Sequence, residues 1–178
     1  MNWTSILEDV LPHPCFDRPF VCEGMPHQSN AVIIGENPAT HIKTDWWTFW
    51  NDATGFDYNR FLDDYRKAKI DSNKSPEPKG ARLRFNRFRQ NGIKAIETNA
   101  YQNQRPDGAG RGVSNARLLR ALIDNMPNLR AVIAHGKPAQ QFIDAFEVPK
   151  HVEVFKTKHF RLIGYDCIDE ICQAVLKP

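Results

Sequence analysis

The sequence predicts a single α/β domain of three layers, with helices on both faces of a central, mostly parallel four-stranded sheet. Three observations predict it. Four short apolar runs, at 31–34, 93–96, 129–134 and 152–155, read as strands. Helical patterns alternate with them, and strand–helix–strand alternation gives right-handed crossovers and parallel pairing. The 178 residues fit one domain that buries a sizeable core without staples.

Residues 1–30 read as a helix and a long loop, carrying Cys15 and Cys22, that leads into the first strand. The turn GENPAT (35–40) follows that strand. Asp45 is placed to cap a helix over 46–54 stopped at Gly55, and Asp57 one over 58–69. Residues 71–80, with two prolines and little apolar content, read as a surface loop. A helix over 81–91 ends at Gly92. Ser114 caps 115–126, which stops at Pro127. A helix over 137–146 follows Gly136, and Asp166 caps 167–176.

A composition of 41% hydrophobic and 25% charged residues excludes disordered and collagen-like classes. No apolar run approaches the roughly 18 residues of a membrane span. The opening MNWTSILEDV carries acids and no basic stretch, so it is not read as a signal peptide. A cytoplasmic monomer with no membrane partner is expected. The four cysteines (15, 22, 167, 172) show no CxxC spacing, so free thiols and no metal or cofactor are expected. Residues 74–120 hold eleven Lys/Arg against three acids. That stretch is +8 within a chain of net +3, an asymmetry that fits either a polyanion surface or a solvated helix face.

In a parallel sheet the site lies outside the carboxyl ends of the strands, so the residues after each strand are the informative ones. After the first come Gly35, Glu36, Asn37, Pro38 and Ala39. The glycine allows close backbone approach, and a carboxylate beside an amide can hold a water. Such an Asn also caps local backbone in ordinary turns. After the second strand Asn99 offers a donor pair and an acceptor, a set that either reads a base edge or satisfies loop backbone. The polar loop beyond it carries Arg105 and Arg111, which either meet phosphates or face solvent. His135 follows the third strand and reads as structural. Lys158, His159 and Arg161 follow the fourth, with His159 either a titratable group of the site in a basic loop or simply exposed.

These four loops, in this order, resemble the uracil-DNA glycosylase superfamily. GENPAT is similar to the GxNPG form of the first motif, and its Glu36 to the GEAPG form of the iron–sulfur branch. The stretch RLRFNRFRQNGIKAIETNAYQNQRPDG is similar to that branch's run through TN-x-x-x-x-RP. VIAHGKPAQQFI resembles the family's strand followed by LGK-x-A, and KHFRL lies where the family carries its HPS-type loop. The resemblance covers roughly residues 30–176. It implies a glycosylase fold and cleavage of the N-glycosidic bond of uracil or another deaminated or damaged base in DNA. It also implies roles. Asn37 positions water, with Glu36 as an adjacent carboxylate. Asn99, with the turn of Gly35, Pro38 and Ala39, holds the base. His159 steadies charge on the leaving base. Phe49 lies near the family's stacking phenylalanine, with Trp46 and Trp47 as rivals, while the same aromatic helix face also reads as core. Arg105, Arg111, Lys158 and Arg161 would grip phosphates. Three departures stand out. Phe160 follows His159 in place of Pro-Ser, Ala39 replaces a glycine, and Gln104 stands where the iron–sulfur branch has a cysteine, so no cluster is expected. The alternative is a non-catalytic nucleic-acid or nucleotide-binding protein on the same fold. Hydrolysis of a free nucleoside or nucleotide is a third reading.

Overall fold

The computed structural model describes residues 2–103 and 113–177. Asn2 opens the first helix, α1 (Trp3–Glu8), by accepting a hydrogen bond from the Ser5 amide, and Trp3 and Leu7 turn its apolar face inward. The following segment runs into a two-residue strand, β1 (Phe20–Val21), and then into β2 (Ala31–Gly35). A short hairpin, β3 (Trp50–Asn51) with β4 (Gly55–Phe56), precedes α2 (Tyr58–Asp71) and α3 (Ala81–Gln90). Then come β5 (Ala95–Asn99), α4 (Ala116–Asp124), β6 (Ala131–His135), α5 (Lys137–Asp144), β7 (Glu153–Thr157) and α6 (Tyr165–Leu176).

The central sheet has five strands in the order β1-β5-β2-β6-β7. The last four are parallel, and β1 pairs antiparallel with β5 at one edge. The strand count therefore exceeds the four expected. Two residues are too short a run to show a hydrophobic period, and β1 is held by contacts rather than by pattern. Thr98 Oγ1 donates to the Pro19 carbonyl at 2.6 Å, and the Trp46 indole to the Phe20 carbonyl at 2.7 Å.

Side-chain alternation along the strands divides the core into two. Val32, Ile34, Ile96 and Val132 pack with α1, α2, α4 and α5, while Ala31, Ile33, Ala95 and Ile133 pack with α3 and α6. Helices thus cover both faces of the sheet. Cys15 and Cys22 belong to the first core as small buried apolar groups, and burial pushes the Cys15 thiol up to about 11.

Three local expectations are corrected. Residues 46–54 do not form a helix: a 3-10 turn (Trp46–Phe49) runs into the β3–β4 hairpin. Asp45 caps the turn, accepting from the Trp47 amide. Asn51 then accepts from the Ala53 and Thr54 amides and bends the chain back, an Asx turn that outcompetes helix continuation. Asn115, not Ser114, is the N-cap residue of α4. Asp166 lies in the first turn of α6, and Gly164 is its N-cap residue.

The register brings the strand ends level. Gly35 lies opposite Asn99, and His135 opposite Thr157. The chain leaves β2 for β5 on one side and places β6 on the other, so the strand order reverses at β2. A crevice at the carboxyl rim is the result. No helix among the described residues is long and apolar enough to cross a membrane.

Candidate functional site

A cleft of about 340 Å³ opens at this rim. Its floor is the ends of β2, β5 and β6, and its walls come from α2, α3 and the loop after β7. Of the residues singled out in the sequence, Gly35, Glu36, Asn37, Ala39, Asn99, His159 and Arg161 all line it.

The loop after β2 is clipped to the one after β5. The Ala100 amide donates to the Gly35 carbonyl at 2.9 Å and the Tyr101 amide to the Glu36 carbonyl at 3.1 Å. Gly35 is required by space rather than by dihedral angle. A Cβ there would lie 2.8 Å from Asn99 Oδ1 and 3.1 Å from His135 Nε2. The Asn99 amide and the His135 ring therefore converge on the bare backbone of Gly35. Behind Asn99 stands Asn115, which is 1% exposed. Its amide nitrogen donates to the Asn99 carbonyl at 3.0 Å and to Thr98 Oγ1 at 2.7 Å, and Gln102 donates to its oxygen at 2.7 Å. That network holds the end of β5 in place.

His159 starts a 3-10 turn (Phe160–Leu162), and its Nδ1 accepts from the Arg161 amide at 3.2 Å. An acceptor Nδ1 leaves the proton of the neutral ring on Nε2. Partial burial and the nearby Arg161 lower the His159 pKa, with Glu36 opposing, so the neutral form prevails at pH 7. His135 sits edge-on to His159, with ring centroids 5.1 Å apart, and stacks on Phe160 at 4.1 Å. Burial, then His159, pulls its pKa down to about 3. The reading of His135 as structural is thus half the account: it packs in the core and also lines the cleft. Phe160, where the resemblance leads one to expect Pro-Ser, is fully buried and anchors the loop from beneath.

Other expected residues lie elsewhere. Phe49 is 3% exposed and packs against Phe56 and Phe61 within the core, away from the cleft. Trp46 is likewise core, and Trp47 stacks on His13. The cleft's aromatic wall is instead Phe61, Tyr65 and Phe85. Pro38 is buried and Lys158 exposed, and neither lines the cleft. Arg105 and Arg111 lie outside the described residues.

The basic segment is largely spent inside the fold. Arg82 and Arg89 pair with the buried Glu97 at 2.7 and 3.3 Å, docking α3 on β5. Arg84 donates to the Ile163 carbonyl, and Arg87 holds Asp169 through two bonds of 2.7 and 2.6 Å. Arg117 and Arg120 donate to the carbonyls of Asp9 and Glu147. The charge asymmetry is therefore mainly a docking device. Arg18, Arg82 and Glu97 line the cleft without having been singled out in the sequence. Neither arginine directly follows a predicted strand, and Glu97, which follows 93–96, carries no signal that sets it apart from the polar residues beside it.

Among the described residues no group of three His, Cys, Asp or Glu side chains could hold a metal ion. Comparison with protein-family profiles and with curated protein sequences gives no match for this chain.

Proposed function

We propose that this chain is a monofunctional DNA glycosylase that hydrolyses the N-glycosidic bond of uracil or another deaminated or damaged base. One observation carries the reading. The turn Gly35-Glu36-Asn37, the Asn99 amide and His159, which the resemblance pairs with these roles, line one cleft at the strand ends.

The bond is hidden in a stacked duplex, so the nucleotide is extruded first, at a few kcal/mol. The base enters between the aromatic wall and the turn. Asn99 presents both donor and acceptor to its edge. As the C–N bond breaks, the sugar gains positive charge and the base negative charge. The Nε2–H of neutral His159 donates to the forming anion, a preorganised contact of the kind worth about 3 kcal/mol. Asn37 or Glu36 holds the water that attacks the sugar carbon, and a carboxylate there also accepts its proton.

The test is incubation of the purified protein with labelled oligonucleotides carrying uracil, hypoxanthine or xanthine, single- and double-stranded, followed by alkaline cleavage. Base release that falls at least about tenfold in Asn37→Ala, Asn99→Ala and His159→Ala supports the reading. A second reading, a non-catalytic nucleotide-binding protein on the same fold, is favoured by the engagement of the α3 arginines within the fold, which leaves fewer cations for a polymer. No release from any of the six substrates, with calorimetric binding of free nucleotides tighter than of the oligonucleotides, would select it.

A further inference from the structure

Three buried side-chain nitrogens among the described residues have no hydrogen-bond partner: Nη1 of Arg18, Nε of Arg82 and Nδ1 of His135. All three belong to residues that line the same cleft. Buried polar groups are almost always partnered, and a buried charge without a counter-ion is costly, so three such atoms around one cavity point to a ligand that completes them.

Arg18 is the most telling of them. Its backbone amide is fixed by donating to the Gln102 carbonyl at 3.2 Å, and its guanidinium stands 5.9 Å from the ring centres of both Phe61 and Tyr65. Burial pulls its pKa down to about 10, which leaves it charged at neutral pH. Glu97, the carboxylate whose charge acts on Arg18, is already bound by Arg82 and Arg89. Lys79 and Arg161 add positive charge to the lining, and among the described residues Glu36 is the one other carboxylate in it.

We propose that this end of the cleft is an oxyanion subsite, where Arg18, with Arg82 beside it, receives a carboxylate or phosphate carried by the ligand. A guanidinium fork matches either group in two-point geometry, and aromatic rings hold the fork at low entropy cost. The subsite would select an acidic base or a nucleotide's phosphate over a neutral base. This deepens the base-binding reading and rests on it for the identity of the ligand. It does not rest on bond cleavage.

Calorimetric titration of the full chain with uracil, 5-carboxyuracil and inorganic phosphate tests it. The expected result is 5-carboxyuracil binding at least about tenfold tighter than uracil, from one charge-assisted bidentate contact. Arg18→Gln should abolish that preference, and Arg18→Lys, which keeps the charge, should keep part of it. The comparison of ligands on the unaltered protein needs no variant. Equal affinity for uracil and 5-carboxyuracil, with no phosphate binding that Arg18→Gln removes, would overturn the subsite and leave the base-binding reading standing. A preference that persists in Arg18→Gln would overturn it also. Phosphate binding that Arg18→Gln removes, with neither base bound, would uphold the subsite and refute the base-binding reading.

Discussion

Lowering the pH from 7 to 5 should cost the fold about 2 kcal/mol through His135 alone. The ring is 5% exposed, stacked on Phe160, and held by burial and then by His159 at a pKa of about 3 against an ordinary 6.5. The unfolded chain takes up a proton as the pH falls through 6.5, whereas the folded chain resists until about 3. Stability is therefore whole above the unfolded value and declines through the window below it. Each pH unit in that window is about 1.4 kcal/mol, and the step from 6.5 to 5 spans about 1.5 of them. Urea unfolding of the wild type and His135→Gln at both pH values isolates the effect. Other groups that titrate in the window, His159 among them, weaken both proteins alike. The variant starts less stable but should lose about 2 kcal/mol less on acidification, or roughly 4–8 °C less in Tm for a domain of this size. Equal losses in the two proteins would refute the buried neutral histidine.

Glu97→Gln leaves the Arg82 and Arg89 guanidiniums without their shared carboxylate, which is 7% exposed, and should cost about 3–5 kcal/mol in chemical denaturation. A loss under about 1 kcal/mol would mean that the pair does not dock α3. Gly35→Ala drives a Cβ to 2.8 Å from Asn99 Oδ1. Because the clash is with the end of a side chain, stability should fall by only about 1 kcal/mol, while calorimetric affinity for the base falls at least about tenfold. Duplex binding should show a shallow salt dependence. If the proposed contacts are carried by Lys79, Lys158, Arg161, Arg105 and Arg111, five phosphates are neutralised and log K against log salt should slope at about −4.5. A slope near −8 would show that the arginines of α3 also reach the backbone.

Much of the fold was legible because parallel strands buried on both faces read as continuous apolar runs, and 31–34 and 129–134 are of this kind. The strand ends were less so. The run 93–96 stops short of β5 because Glu97 and Thr98 are polar, yet both are buried, Glu97 on α3's arginines and Thr98 on Pro19 and Asn115. Tertiary partners there replace the hydrophobic signal. Residues 46–54 misled for the opposite reason. Trp46, Phe49 and Trp50 fall at helical spacing, but their positions are set by indole bonds to Phe20 and Thr4 and by the Asn51 turn, all of them outside any periodic pattern.

The site divides along the same line. Residues that follow a parallel strand could be assigned to one rim from topology alone, and the level register of Gly35 with Asn99 and of His135 with Thr157 is what makes that deduction work. Arg18 reaches the cleft from the other direction, ahead of an antiparallel edge strand two residues long. No rule about strand ends selects it, and its charge is unremarkable in sequence. Its significance is a property of pairing. Arg82, Arg84, Arg87 and Arg89 form the conspicuous basic cluster, and each is anchored to an acceptor within the fold, Arg82 with its Nε left over, whereas Arg18, isolated in sequence, keeps a buried Nη1 open. Charge density along the chain therefore marks where α3 docks, and the unmatched charge beside Tyr65 marks where an anion would bind.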